Sequence, residues 1–481
     1  MPLRASFRSI RLIIARVSVA SIAPLIIFSS RFGRTVILSR SLSPSAYGVV
    51  VALTTIYTIL DMIDIGLDRF VMINTGPKRA AAVAVAQRIA FVRGLFAMVI
   101  IAVFAPVLAT IFGADSHADI VRWLAPLPVI RSLANLRVKQ VQQEYRNGPE
   151  ALASIASQSG ALLVLFPALA LFNDERAMLV SLYVDGVVYV GVTWLILPRE
   201  KVSFIDPALQ REALIYGLPL IVNGAGLLMT SQGDKVVVGN LFGLETLALY
   251  SLVVNLALMP LSPLGAVLQN LSIAFLAGRR GNVAASNFGS FVVTWTFLIV
   301  SSGYAVGVAL LLDVLVPLIY GPHYAVSLEI KVLVALLSFF RFCRQGPSAI
   351  LLVAGGTQRL AVANLVAGMG LVIGYSLGTI LHSLQAVLTG IVVGDALATL
   401  FIFYQIRRQL PTKATIAHAI FLMLPVGATC AFSLAYGGAT LWMRGLVLFL
   451  ATTLIGVDLI LGYRFQLVRA GPSSLGAIDR S

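Results

Sequence analysis

Mostly apolar runs of about twenty residues follow one another along almost the whole chain, and no other feature narrows the fold so far. A helix needs roughly twenty such residues to cross a bilayer, and a soluble core cannot absorb so many. The runs 18–39, 46–73, 84–112, 120–143, 151–172, 177–197, 212–238, 245–276, 288–312, 327–353, 359–381, 385–406, 415–436 and 440–462 read as about fourteen helices. The 481 residues are 59% hydrophobic and 11% charged, and the mean hydropathy is +0.94. The predicted class is an all-α integral membrane protein with about 14 transmembrane helices.

The net charge is +15, from 35 Lys and Arg against 20 Asp and Glu. In a soluble chain that excess points to nucleic acid; here it points to cytoplasmic loops biased toward Lys and Arg. With the N-terminus inside, the inward connections hold Lys78–Arg79, Arg146, Arg199 with Lys201 and Arg211, Arg279–Arg280, Arg359, Arg407–Arg408 with Lys413, and Arg464 with Arg469. The outward ones hold Asp115 and Asp119, the Asn173–Arg176 turn, Glu245 and the Gly321–His323 turn. That alternation predicts an even helix number and both termini in the cytoplasm, with no nucleic-acid partner. The basic, then apolar N-terminus reads as a first span, because no small-residue cleavage site follows it. Cys343 and Cys430 fall in apolar runs without metal-ligand or redox spacing and read as packing residues.

The longest loop, Arg199 to Glu212, divides the chain near its middle. The expected organisation is a six-helix lobe over 1–198, a cytoplasmic linker at 199–211, a second six-helix lobe over 212–408, and a final helix pair with a tail over 409–481. A faint internal echo agrees: Leu42-Ser43-Pro44 leading to Tyr47-Gly48 recurs loosely as Leu241-Phe242-Gly243 leading to Tyr250-Ser251.

Charges inside the spans carry the functional reading. Arg31 and Arg34 are three apart and share a helix face. If helix one runs to about Ser39, they lie deep in the bilayer, where two arginines cost about 5–7 kcal/mol. A watery cavity or a counter-charge offsets that cost; snorkelling to the outer headgroups is the structural alternative. Asp61, Asp64 and Asp68 line one face of helix two. Pairing with Arg31 and Arg34 is the simplest account of them, and coupling to a proton or cation is the functional one. Arg131, Asn135 and Lys139 form a stripe on helix four, and Asn255, Ser262 and Gln269 another on helix eight. Asp185, Asn223, Asp234-Lys235 and Asp395 lie in other spans. Arg341 and Arg344 are three apart, just before a Gly346-Pro347 break. Small polar residues more often join helices than bind ligands. The cations Arg31, Arg34, Arg131, Lys235, Arg341 and Arg344 suit a cavity for an anion such as phosphate, for which arginine offers a planar fork of donors. Asp61, Asp64, Asp185 and Asp395 are the ion-coupling or counter-charge candidates.

Arg40-Ser41-Leu42-Ser43-Pro44-Ser45-Ala46-Tyr47-Gly48 resembles the R-x-L-G-P-x-x-Y/F-G turn between the first two helices of bacterial polysaccharide (O-antigen type) flippases. These belong to the multidrug/oligosaccharidyl-lipid/polysaccharide (MOP) exporter superfamily. Asp64-Ile65-Gly66-Leu67 resembles the D-x-G-L that follows in that family. Asp234-Lys235 and Leu249-Tyr250-Ser251 resemble its seventh and eighth helices. Ser43 stands where the family usually has glycine. The resemblance implies two six-helix bundles in a V around a central cavity, alternating access, and an undecaprenyl-pyrophosphate-linked oligosaccharide as cargo. It implies the bacterial cytoplasmic membrane as location, with membrane lipids and a polysaccharide polymerase as further partners. Gly217, Pro219, Gly224, Gly226, Pro260 and Pro263 supply bending points in helices seven and eight.

Two other classes compete. A multidrug exporter of the same superfamily takes cationic cargo and calls for acidic residues in the cavity. A membrane-embedded glycan polymerase or ligase calls for chemistry on a long outward loop, and the outward loops are short. His117, His323 and His382 have no partner spacing for metal or nucleophile chemistry, and no glycine loop followed by lysine cradles a nucleotide. The expectation is a transporter rather than an enzyme, with no cofactor.

Overall fold

The computed structural model describes residues 23–62, 66–74, 78–143, 147–197, 207–279, 283–407, 410, 412–436 and 440–469. Arg146, Arg199, Lys201, Arg280, Arg408 and Asp64 lie outside the described residues, as do the side chains of Asp61, Asn223, Lys413, Arg464 and Arg469.

Among the described residues the chain is helical, with no strand. Helix α1 covers 23–41. It is followed by α2 (Pro44–Met62), α3 (Leu67–Ile73), α4 (Arg79–Ile111), α5 (Ala118–Arg122), α6 (Pro126–Ser132), α7 (Arg137–Gln142), α8 (Gly148–Leu163), α9 (Leu165–Phe172) and α10 (Arg176–Ile196). Then come α11 (Pro207–Ser231), α12 (Gly233–Leu258), α13 (Leu261–Ala277), α14 (Val283–Tyr320), α15 (Leu328–Cys343), α16 (Gln345–Val353), α17 (Thr357–Leu381), α18 (Leu384–Ile406), α19 (Thr412–Ala435) and α20 (Leu441–Arg469). Among the described residues seven stretches are long and apolar enough to cross a membrane, with shorter apolar helices beside them. Each of the fourteen expected spans falls on one helix or on a broken series of helices. Helix one does run past Ser39, so Arg31 and Arg34 sit well inside it.

Several spans are broken series of helices; the Gly346-Pro347 break of span ten and the bending at Pro260 in span eight were expected, the gaps in span four were not. Span four is α5, α6 and α7, so Arg131, Asn135 and Lys139 do not share one helical stripe. Pro126 opens α6, and Asn135 fills the gap before α7. Its Nδ2 donates to the Leu197 carbonyl at 2.6 Å, and its Oδ1 accepts from the Arg137 amide at 3.1 Å. The gap's polar groups are thus satisfied by a side chain. Span eight breaks between Leu258 and Leu261 at Pro260, so Asn255, Ser262 and Gln269 are not one stripe either. Span ten breaks at Arg344, before Gly346-Pro347. Gly243, at φ 76 and ψ −174, makes the turn between spans seven and eight, a backbone conformation only glycine takes readily.

The element order repeats. Pro106 inside α4 has its counterpart in Pro317 inside α14. The left-handed Gly113 after α4 matches the positive-φ Gly321 after α14, and the left-handed Asn173 after α9 matches His382 after α17. Each later feature follows its partner by 208 to 211 positions.

The described chain forms two compact units. The first holds residues up to Tyr250 and Ile319–Gly321; the second holds Ser251–Leu318 and everything from Pro322 on. Compactness thus divides the chain after Tyr250, whereas the loop-based reading put its boundary at 199–211. The cause is that α11 packs into the first unit: Leu209 and Ala213 share a core with Leu67, Phe70, Val71, Ala82, Val85 and Ala86. In the second unit Phe297, Phe342, Ile350, Leu351 and Ile402 join α14, α15, α16 and α18. There the α17–α18 hairpin is closed glycine on glycine: a Cβ on Gly370 would lie 2.7 Å from the Gly394 Cα, and one on Gly390 would run into the Gly374 backbone.

Candidate functional site

In the first unit Arg34 is buried between α1, α8 and α10. Its Nη2 donates to Gln158 Oε1 at 2.6 Å and its Nη1 to Ser181 Oγ at 3.3 Å. Gln158 turns its other end to Asp185: Nε2 donates to Oδ1 at 3.0 Å. The guanidinium and the carboxylate are therefore joined through one amide. Arg31, a turn earlier, is exposed, and its Nε reaches the same Gln158 Oε1 at 3.4 Å. Two cations stand against one carboxylate, so the cluster keeps one positive charge.

In the second unit Asp395 of α18 takes both arginines of span ten. Arg341 Nε lies 2.9 Å from Oδ2, and Arg344 Nη2 lies 3.4 Å from Oδ1. The Asp395 side chain is 5% exposed, against 24% for Arg341 and 17% for Arg344, so the carboxylate is the inner partner and the cations form its cover. Arg344 Nη1 is buried without a hydrogen-bond partner among the described residues.

The remaining expected residues are placed separately. Arg131 stacks over the Tyr189 ring at 3.9 Å. Lys235 Nζ donates to Gln232 Oε1 at 3.0 Å, and buried Asp234 accepts from Tyr250 Oη at 2.7 Å. The expected pairing of helix two's aspartates with Arg31 and Arg34 is corrected at Asp68, which bonds Lys139 at 3.1 Å; Lys139 also holds Glu150 at 2.6 Å. Gln158 and Asp185 occupy the space around Arg34, and Asp68 lies in the separate helix α3, beside α7. Asp61 and Asp64 lie where no side chain is described.

Several functional candidates escaped the sequence reading. Gln158 is the hinge of the first cluster, a lone amide in an apolar run. Arg93 of α4 lines a small crevice with Tyr57, Leu60, Gly94, Ala97 and Pro128. Arg444 of α20 grips Asp313 of α14 with two bonds of 2.7 and 2.8 Å, while the buried Lys331 of α15 lies 3.4 Å from the same carboxylate. Their signal was a charge within an apolar run, as for Arg31.

The comparisons with known proteins bear on this geometry. A family model described as polysaccharide biosynthesis protein matches residues 37–329. A solved structure described as lipid II flippase MurJ, inward closed conformation, superposes with a TM-score of 0.73 at 11% identity, covering 93% of this chain and 99% of that one. An inward-facing multidrug resistance MATE family transporter of the MOP superfamily gives 0.55 at 13% identity, covering 87% and 99%. A eukaryotic MATE transporter gives 0.54 at 14%, covering 85% and 99%. No curated protein matches the sequence. The fold is therefore that of a multi-pass membrane transporter of the MurJ and MATE type. The chain belongs to the polysaccharide biosynthesis protein family, whose model spans more than half of it.

Proposed function

We propose that the protein carries a lipid-linked oligosaccharide, on undecaprenyl pyrophosphate, across the bacterial cytoplasmic membrane by alternating access. Both termini lie in the cytoplasm, and the cargo serves cell-surface polysaccharide synthesis, with a polymerase acting after it. The observation that carries this reading is the Arg341–Arg344–Asp395 cluster. Its two guanidiniums share one carboxylate, and Arg344 Nη1 has no hydrogen-bond partner among the described residues. A buried donor without an acceptor is costly, by about 1–3 kcal/mol, and a phosphate oxygen would satisfy it with a charge-assisted bond. Arg31 offers a second exposed cation in the first unit. Membership of a polysaccharide biosynthesis family supports the glycan cargo, and the MurJ-like fold supports a lipid carrier.

The test is Arg341→Gln and Arg344→Gln, separately and together, in a strain whose surface polymer depends on this protein. The reading expects export to fall about tenfold or more for the double variant, with the protein still in the membrane. Full export from the double variant would overturn it. A strain lacking the protein that exports polymer normally but gains sensitivity to cationic drugs would favour the multidrug reading instead.

A further inference from the structure

In the second unit, Ser262 and Gln269 lie on one side of α13, seven positions apart, with Gly265 between them. Leu264, Val267 and Leu271 lie on the opposite side and are exposed, which suits acyl chains. Leu261 and Leu276 fix α13 against Phe342, Ile350 and Leu351 of span ten.

Gly265 is a point of close approach to span ten. A Cβ there would run into Gln345 Oε1 and would lie 2.8 Å from its Cδ and 2.9 Å from its Nε2. The whole Gln345 amide therefore rests on bare glycine backbone, in a seat that any side chain at position 265 would fill. The backbone around Gln345 is held as well. A Cβ on Gly346 would lie 2.7 Å from the Phe297 ring. The Ser348 amide and hydroxyl both donate to the Arg344 carbonyl, at 3.1 and 2.8 Å.

Gln345 directly follows Arg344 and stands one helical turn after Arg341, so the amide borders the arginine cluster. Gln345 and Gln269 are half-buried, as both arginines are, and Ser262 is exposed. Among the described residues the side chains of Gln345, Gln269 and Ser262 make no hydrogen bond. Polar residues that join helices bond across the interface; this amide is seated at an interface without doing so. An amide both donates and accepts, as a sugar hydroxyl does. It carries no charge, so it adds little to the grip on phosphate that guanidinium groups supply.

We propose that Gln345, seated by Gly265 and flanked by Gln269, is a subsite for the sugar unit next to the phosphate held by Arg344. The proposal rests on the lipid-linked oligosaccharide reading above and divides the headgroup between neighbours: the arginines take its charge and Gln345 reads its hydroxyls. Gly265 is a positioning residue, acting through the amide that it leaves room for.

Two probes separate these roles: bare undecaprenyl pyrophosphate, and the lipid-linked oligosaccharide extracted from a strain lacking the protein. Dissociation constants come from thermal shifts of the purified full-length protein in detergent. The wild type should bind the glycosylated lipid about tenfold more tightly than the bare one, as a pair of hydrogen bonds supplies. Gln345→Leu should lose that preference and keep its affinity for the bare lipid. Gly265→Ala keeps Gln345 but fills its seat, and should cut the preference about threefold or more. Its unliganded midpoint should hold, because only the end of a flexible side chain has to move. Val267→Ala, on the opposite side of α13, should change neither constant. If Gly265→Ala fails to fold, Gln345→Leu decides alone. A preference undiminished in Gln345→Leu would overturn the subsite, and so would an equal loss of affinity for both lipids, which would make Gln345 a support for the arginines. Wild-type protein that binds the two lipids equally would overturn the subsite and leave the pyrophosphate reading standing. Wild-type protein that binds neither would overturn the cargo reading, and the subsite with it.

Discussion

Asp185 and Asp395 hold equivalent places in the two halves of the chain, yet they are used differently. Asp395 follows Arg341 by 54 residues along the sequence, and Asp185 follows Arg131 by the same interval. In the second half the ion pair is made directly. In the first half Arg131 lies over Tyr189, and Asp185 is given to Gln158 and, through it, to Arg34. The supporting hairpins differ in the same sense. A Cβ on Gly370 would collide with the Gly394 backbone, whereas one on the equivalent Gly160 would make ordinary contact with Val184 at 3.6 Å and Val188 at 3.7 Å. One scaffold thus carries two electrostatic solutions. Direct pairing on a tightly closed hairpin fixes its arginines, and an amide bridge on a looser one spreads the charge over three spans.

The comparison predicts unequal costs for equivalent changes. The largest is expected from Asp395→Leu, which removes the carboxylate shared by two largely buried guanidiniums and should cost about 3–5 kcal/mol. Asp185→Leu should cost about 1–3 kcal/mol, because its neighbour across the bond is a neutral amide. Thermal unfolding in detergent reads the difference, and equal losses would remove the distinction between the two clusters. Next comes Gly370→Ala, at about 1–3 kcal/mol from backbone collision. Gly160→Ala should be neutral or stabilising by up to about 1 kcal/mol through helix propensity. A destabilised Gly160→Ala would show that the first hairpin is as tight as the second. Gln158→Leu, which leaves Arg34 and Asp185 without their bridge, should cost about 1–3 kcal/mol; an unchanged midpoint would mean that the amide is not the link. The smallest change in stability is expected from Arg31→Gln, within about 0.5 kcal/mol, while polymer export falls. Loss of stability together with export would make Arg31 a structural residue like Arg34.

Much of this architecture was legible in the sequence because bilayer thickness sets a fixed apolar length, and the spans showed it directly. The long first helix was legible too, since Thr35-Val36-Ile37-Leu38 makes a poor loop. The breaks in span four were not, because an apolar run reads as continuous unless its prolines are given weight; in span eight Pro260 read as a bending point, yet a polar stripe was still drawn across it. Pro126 was the available signal in span four. The arginine pair of span ten was visible from spacing alone. Its carboxylate was visible only as a separate charge, because the contact joins residues far apart in sequence. Asp68 is ion-paired as a structural carboxylate, but to Lys139 rather than to Arg31 or Arg34, because face and period locate a carboxylate on its helix and leave its partner open. The equal Arg131–Asp185 and Arg341–Asp395 intervals were a repeat signal left unused, and a repeat of position does not guarantee a repeat of bonding: one pair is made and the other exchanged.

The proposed cargo requires the arginine clusters to recognise an anionic lipid headgroup. Thermal unfolding of the purified protein with undecaprenyl pyrophosphate, and with uncharged undecaprenol, measures this most directly. A ligand present well above its dissociation constant stabilises by about 3 kcal/mol, so the pyrophosphate lipid should raise the midpoint by several degrees. Undecaprenol should have far less effect, and Arg341→Gln with Arg344→Gln should abolish the rise. Equal shifts from the two lipids, or a rise undiminished in the double variant, would contradict the account.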